Sequence, residues 1–182
     1  MRKYILYVLV VIVLAAAGFF YLKNKKSKPN VDNTPINIVE STEDKPHLVG
    51  GIYTNPAYGF TLSVPPPLKV SELVEDEGET ILIEGEINGV KDFSMQIYIS
   101  SFDEDVSLTA SRINADIPDL KMIEPIEIKT DGVGTVAFFS DETGVRYREI
   151  WFVRGFFLYQ VLAEAKNDDT TGKIMESWEW MK

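Results

Sequence analysis

The sequence predicts an α+β fold, an antiparallel β-sheet flanked by helices, preceded by a single N-terminal transmembrane helix. Three observations carry this. Residues 4–22, from Tyr4 to Leu22, form an uncharged run in which only Gly18 stands outside the apolar set. From Ile52 to Lys182, apolar and polar residues alternate in run after run, the period of half-buried strands. Two shorter stretches, after Ser107 and after Asp168, carry helical spacing behind capping residues.

As a helix, residues 4–22 would span roughly 28 Å, close to the ~30 Å hydrocarbon core of a bilayer. Tyr4, Tyr7, Phe19, Phe20 and Tyr21 lie toward its two ends, where aromatic rings favour the interface. A soluble helix needs a polar stripe, and this run has none. A cleaved signal peptide would use Met1-Arg2-Lys3, a core near residues 4–14 and Ala15-Ala16-Ala17 as its cleavage site. Because apolar character continues through Leu22, the uncleaved anchor is the preferred reading, with residues 4–22 in contact with membrane lipid. Arg2, Lys3 and the α-amino group on one flank nearly balance Lys23, Lys25, Lys26 and Lys28 on the other, so charge makes the C-terminal flank only slightly the more cytoplasmic and fixes no orientation.

Residues 23–51 read as a flexible linker: Pro29, Pro35 and Pro46 stand among Asn, Ser and Thr, with one short apolar break at Ile36-Asn37-Ile38-Val39. Such a composition buries too little apolar area to offset its ordering entropy. His47 falls here and reads as a solvated residue. The globular domain is expected over residues 52–182.

In that domain Phe60, Leu62 and Val64 alternate with Thr61 and Ser63 ahead of Pro65-Pro66-Pro67. Ile81, Ile83 and Ile87 share one parity, as do Phe93, Met95, Ile97 and Ile99, and Asn88-Gly89 between the two runs marks a hairpin. A helix is expected from Ser107, with Val106, Ala110, Ile113 and Ile117 on one face and Pro118 as its stop. Ile126 and Ile128, then Asp131-Gly132, then Val136 and Phe138 predict a second hairpin. Val145, Tyr147, Trp151 and Val153 share one side of a long strand. Arg154-Gly155 turns the chain into Phe156 to Ala163, which is apolar on both faces except at Gln160 and so reads as central in the sheet. Asp168, Asp169 and Thr170 are capping candidates for a last helix bearing Ile174, Met175 and Trp178.

The opening Tyr53-Thr54-Asn55-Pro56-Ala57-Tyr58-Gly59-Phe60-Thr61-Leu62-Ser63-Val64-Pro65 resembles the start of PsbP-like domains. The hairpin Val145–Ala163 followed by Lys173-Ile174-Met175-Glu176-Ser177-Trp178-Glu179-Trp180 is similar to that family's last helix and its aromatic end. The chain departs from the pattern at Pro65-Pro66-Pro67-Leu68, where many relatives have a tryptophan shortly after a proline. The resemblance implies an α-β-α sandwich, an exported location and a non-catalytic accessory or assembly role. It carries over no functional residue.

Composition excludes much. There is no cysteine and one histidine, so disulfides, thiolate metal sites, a cysteine nucleophile and a multi-histidine centre are ruled out. The formal net charge of −10 divides into +6 for residues 1–28 and −16 for residues 29–182, the latter with 12 bases against 28 acids. An acidic domain of this kind is a poor binder of phosphate backbones, and no nucleic-acid partner is expected.

Glu72, Glu75, Asp76, Glu77, Glu79, Glu84 and Glu86 form a run with no base between Lys69 and Lys91. Carboxylates at this density can hold Ca²⁺, but without EF-hand spacing a solvated acidic loop is preferred to a Ca²⁺- or Mn²⁺-responsive site. Asp103-Glu104-Asp105 and Asp168-Asp169 read as charges complementing helix N-termini. Arg146 and Arg148 share a strand face and suit either an anionic ligand or the domain's own acids, the second being preferred. Trp151, Trp178 and Trp180 read as core before pocket. No catalytic, cofactor-binding or metal-ligating residue is assigned, because no nucleophile elbow, P-loop, dinucleotide motif or zinc motif is present. The sequence thus points to a binding or assembly module that needs no cofactor and acts on an unidentified protein partner, with a weakly marked hydrolase using an acid pair as the alternative.

Overall fold

Alternation of apolar and polar residues resolves into two antiparallel sheets in the computed structural model, which describes residues 45–182 apart from Asn88 and Asp131. The expected membrane segment and the linker as far as residue 44 lie outside the described residues. Among those described, no helix is long and apolar enough to cross a membrane.

In chain order the elements are β1 (His47–Val49), β2 (Ile52–Asn55), β3 (Phe60–Ser63), β4 (Lys69–Glu75), β5 (Gly78–Ile87), β6 (Val90–Ser101), α1 (Ala110–Asp116), β7 (Ile123–Thr130), β8 (Val133–Glu142), β9 (Val145–Arg154), β10 (Phe157–Glu164), α2 (Asp168–Glu176) and β11 (Glu179–Trp180). A 3₁₀ turn, Ala165–Asn167, leads into α2. The larger sheet has the order β4-β5-β6-β10-β9-β8-β7 and the smaller one β1-β2-β3-β11. This is a sheet-rich α+β fold, as the alternation predicted.

Both expected hairpins are in register. Ile87 pairs with Val90 and Thr130 with Val133, each leaving a two-residue turn whose glycine, Gly89 at φ 76 or Gly132 at φ 84, takes the left-handed backbone that such turns require. β10 is the middle strand of seven, bordered by β6 and β9, which explains its apolar character on both faces.

The two faces of the large sheet carry separate cores. On one, Ile81, Ile83, Met95, Ile97 and Val161 are fully buried beneath Tyr53, Phe60 and Leu62 of the small sheet and Ile174 of α2. On the other, Val136, Phe138, Trp151 and Val153 pack against Leu108, Ile113 and Ile117 of α1 and its flanks. Each fully buried large aliphatic side chain contributes about 1.5–3 kcal/mol relative to exposure.

Several expectations need correction. Residues 47–49, inside the stretch 23–51 expected to be linker, form a strand, because β1 adds to the edge of β2. Helix α1 is capped by Thr109, whose Oγ1 accepts from the Arg112 N–H at 3.2 Å, and not by Ser107. Ser107 is held against β8, where a Cβ on Gly134 would stand 2.5 Å from its own Cβ. No acid lies in the first turn of α1. Glu104 instead pairs with Arg112 at 3.2 Å, and Asp105 accepts from the Gly155 N–H at 3.0 Å. The start of the acidic run is an edge strand, β4, and not a loop, since Val70 and Glu72 turn toward the core face that β5 shares. The closing helix stops at Glu176. Glu179 and Trp180 pair with Thr61 and Phe60 as a strand, which places the tryptophan on the aromatic core. Phe156 falls in a turn outside β10.

The two edges of the large sheet differ. β7 is interrupted by a register shift between Ile123 and Ile126, with Glu124 at φ 52 and Pro125 alongside it. β4 pairs without interruption and exposes Leu73 and Val74.

Candidate functional site

An aromatic cluster under the small sheet opens to the surface at one end, and three segments distant in sequence build that opening. The first is the turn between β2 and β3. There the Gly59 N–H donates to the Asn55 carbonyl at 2.9 Å, and Gly59 itself adopts φ 69. The second is β11, extended by a bond from the Met181 N–H to the Gly59 carbonyl at 2.8 Å. The third is the β9–β10 turn, Arg154 to Phe157. Stacked rings fix the floor: Phe60 on Trp178 with centroids 4.1 Å apart and Phe152 on Tyr159 at 4.8 Å. Such pairs add about 0.5–1.5 kcal/mol each beyond their buried area.

The result is a cleft of about 260 Å³ walled by Tyr58, Phe157, Tyr159, Trp180 and Arg154. Tyr58 meets Phe157 edge-on at 5.1 Å, and the Arg154 guanidinium lies over the Trp180 ring at 4.1 Å. That contact is a cation–π interaction, and a guanidinium engaged in one still has N–H groups with which to donate.

Charge singles out Arg154. The described residues hold 12 bases and 23 acids, a formal −11. Arg112 pairs with Glu104 and Asp116, Arg146 with Asp141 at 3.0 Å, and Arg148 with Asp168 at 2.7 Å. Arg154 alone among the described arginines has no carboxylate partner. The preferred reading of Arg146 and Arg148 therefore holds. Both also lie over Phe139, at 5.9 and 3.6 Å. The cation that faces a cleft is the one the strand pattern had placed in a turn.

Phe156 stands in the turn between Gly155 and Phe157, two of the residues that line the cleft. It is 59% exposed at φ 64, following Gly155 at φ 61. An exposed aromatic held in a left-handed backbone costs about 1–2 kcal/mol and contributes no core burial in return, the pattern of a residue kept for contact rather than for folding. Phe156→Asn, which suits the turn, is expected to leave the melting temperature unchanged or raise it by roughly 3 °C. A thermal melt checks this.

Two carboxylate settings remain, and one of them, at Glu79, reaches the Tyr58 side chain of the cleft wall. Tyr53 Oη donates to Glu72 at 2.7 Å, while Asn55 Nδ2 donates to Tyr53 Oη at 3.1 Å and to Glu79 at 3.3 Å. Burial, then the nearby Glu72, pushes the Glu79 carboxyl above its ordinary range, so this acid is not the solvated one expected. Of the acidic run, only Glu72 and Glu79 converge here, and no group of three metal-ligating side chains is found among the described residues.

Glu149 on β9 escaped the sequence reading because its strand neighbours gave no sign of a buried charge. Burial holds its carboxyl above the ordinary range, against the opposing hydrogen bonds from Ser140 Oγ and Trp151 Nε1. A group whose pKa is raised on folding stabilises the fold below its unfolded pKa, and that contribution is lost as pH rises through the folded value. Glu149→Gln can keep both partners, accepting from Trp151 and donating to Ser140. It is expected to melt higher than the parent at pH 7, with the gap closing by pH 4. A pH series of thermal melts checks this.

Trp151 is buried in the second core, as expected. Trp178 belongs to the aromatic floor, while Trp180 is part core and part wall. No family model matches the chain, and no curated protein matches it.

Proposed function

We propose that the chain is a membrane-tethered, extracytoplasmic, non-catalytic binding or assembly module of PsbP-like kind. In this reading residues 4–22 hold the lipid and the aromatic cleft engages a protein partner. The observation that carries it is Arg154: a cation left without an acid, inside an acidic domain, at the mouth of a preformed aromatic cleft. Binding sites combine apolar walls with a few placed polar groups, and this cleft sets aromatic walls beside the Arg154 cation. The exposed Phe156 supports a macromolecular partner, since aromatic anchors and arginines dominate such contacts. The PsbP-like assignment is supported by the element order, with α1 on one face of the large antiparallel sheet and α2 with the small sheet on the other.

The test is a photo-crosslinking side chain placed at position 156 of the full-length chain in its native membranes. A discrete protein adduct that Arg154→Glu abolishes is the expected result. No adduct beyond that from a crosslinker at Lys121, or an adduct indifferent to Arg154→Glu, overturns the proposal.

A further inference from the structure

We infer that the cleft beside Arg154 captures the free C-terminal carboxylate of a partner polypeptide whose last residue is aromatic or branched aliphatic. This rests on the reading of the cleft as a protein-binding site and names what it binds.

Charge complementarity sets the first requirement. The Arg154 guanidinium, with Cζ 4.1 Å over the Trp180 ring, carries a planar set of N–H donors that can meet a carboxylate with two parallel hydrogen bonds. Among the described arginines it is the one without a carboxylate partner, and the described residues around it are net negative. A single carboxylate is attracted, whereas a polyphosphate or an acidic tract is opposed by the net negative charge of the domain.

The backbone sets the second. The N–H groups of Tyr58, Gly59, Gly155 and Met181 are already committed, to Asn55 Oδ1, the Asn55 carbonyl, Asp105 and the Gly59 carbonyl respectively. Among the side chains that remain, the rings of Tyr58, Phe157, Tyr159 and Trp180 offer the apolar contact, and an occupant with an apolar group beside its anionic one uses both. At a chain end the carboxylate and the last side chain leave the same α-carbon. They therefore enter together, as a cation 4.1 Å from a ring centroid requires.

Size sets the third. A volume of about 260 Å³ suits one residue and little more. Apolar surface nevertheless continues beyond it, on Phe156 at 59% and Met181 at 49% exposure. A free aromatic acid would leave that surface unused. A polypeptide running outward from its last residue would cover it.

The probe is a fluorescein-labelled Gly-Ser-Ala-Phe peptide titrated with the full-length chain in detergent and followed by anisotropy. Saturable binding of the free-carboxylate peptide is expected, weakened at least fivefold by C-terminal amidation. Arg154→Gln should remove the difference between the two peptides. Arg146→Gln, which deletes the same charge at the opposite end of β9, should leave the affinity within twofold. A moderate loss of affinity between 50 and 500 mM salt is expected as the ion pair is screened.

Equal affinity for the acid and the amide overturns the inference. So does equal binding of an amidated peptide carrying an internal aspartate, or no saturation by 1 mM. Any of these results alongside an Arg154-dependent adduct at position 156 removes the ligand class and leaves the binding module standing. Loss of both removes the cleft as a site.

Discussion

Phe60→Ala is expected to lower the free energy of unfolding by about 3–5 kcal/mol, the largest effect of any single truncation on the cleft side of the sheet. Phe60 is fully buried, stacks on Trp178 and meets Tyr53, Tyr159 and Trp180 at centroid distances of 6.1–6.4 Å. Its backbone also pairs with Trp180. Removing the ring leaves a void among four other rings that are anchored to three different strands and one loop, so the site collapses poorly. At a urea slope of about 2 kcal/mol/M, the unfolding midpoint should fall by roughly 2 M. A conservative Phe60→Leu should recover more than half of that. A shift below 0.5 M for the alanine variant would mean that the aromatic cluster does not hold the small sheet to the large one.

The second large effect lies on the opposite face. Trp151→Ala is expected to cost about 3–5 kcal/mol through the cavity beside Phe138, whose ring lies 5.6 Å away. A further cost comes from withdrawing the Nε1–H that reaches Glu149 Oε2 at 2.8 Å. Trp151→Phe separates the two. It keeps most of the packing but leaves Glu149 with Ser140 alone, at a cost of about 1–3 kcal/mol. Because the lost bond favours the ionised carboxylate, the penalty of Trp151→Phe should be larger at pH 7 than at pH 4. Urea titrations at the two pH values decide it. Equal penalties would show that the indole N–H does not support the Glu149 charge.

Where the sequence was legible, one residue type at one spacing left a single reading. Alternation over Phe93–Ile99, the Asn88-Gly89 and Asp131-Gly132 turns and the doubly apolar β10 placed most of the large sheet and its central strand. The short elements were harder. β1 and β11 bury few side chains of their own, so nothing local marks them, and they exist because β2 and β3 offer unsatisfied edges. The Thr109 cap was missed for a related reason: Ser107 has equal capping chemistry, and only the absent Cβ of Gly134 decides where the loop runs.

The candidate site was less legible still. Arg146 and Arg148 announce themselves on one strand face, whereas Arg154 looks like an ordinary residue before a turn glycine. Its interest comes from what it lacks, an acid within reach, and that depends on where three distant segments meet. The one usable signal was Phe156, an aromatic at a turn position that Gly, Asn or Asp would ordinarily fill.

The two sheet edges bear on how the protein behaves at high concentration. β7 is poorly suited to accept another strand, because its offset register and Pro125 disrupt the ladder a visiting chain would need. β4 offers seven uninterrupted residues, with Leu73 and Val74 exposed on opposite faces. Glu72 is occupied by Tyr53, so Lys69 and Glu75, at its ends, are the remaining charges that discourage pairing. Two copies meeting edge to edge would therefore join through β4 rather than β7. Self-association on refolding or crowding should begin there, and a lysine at Val74 would be the simplest guard against it.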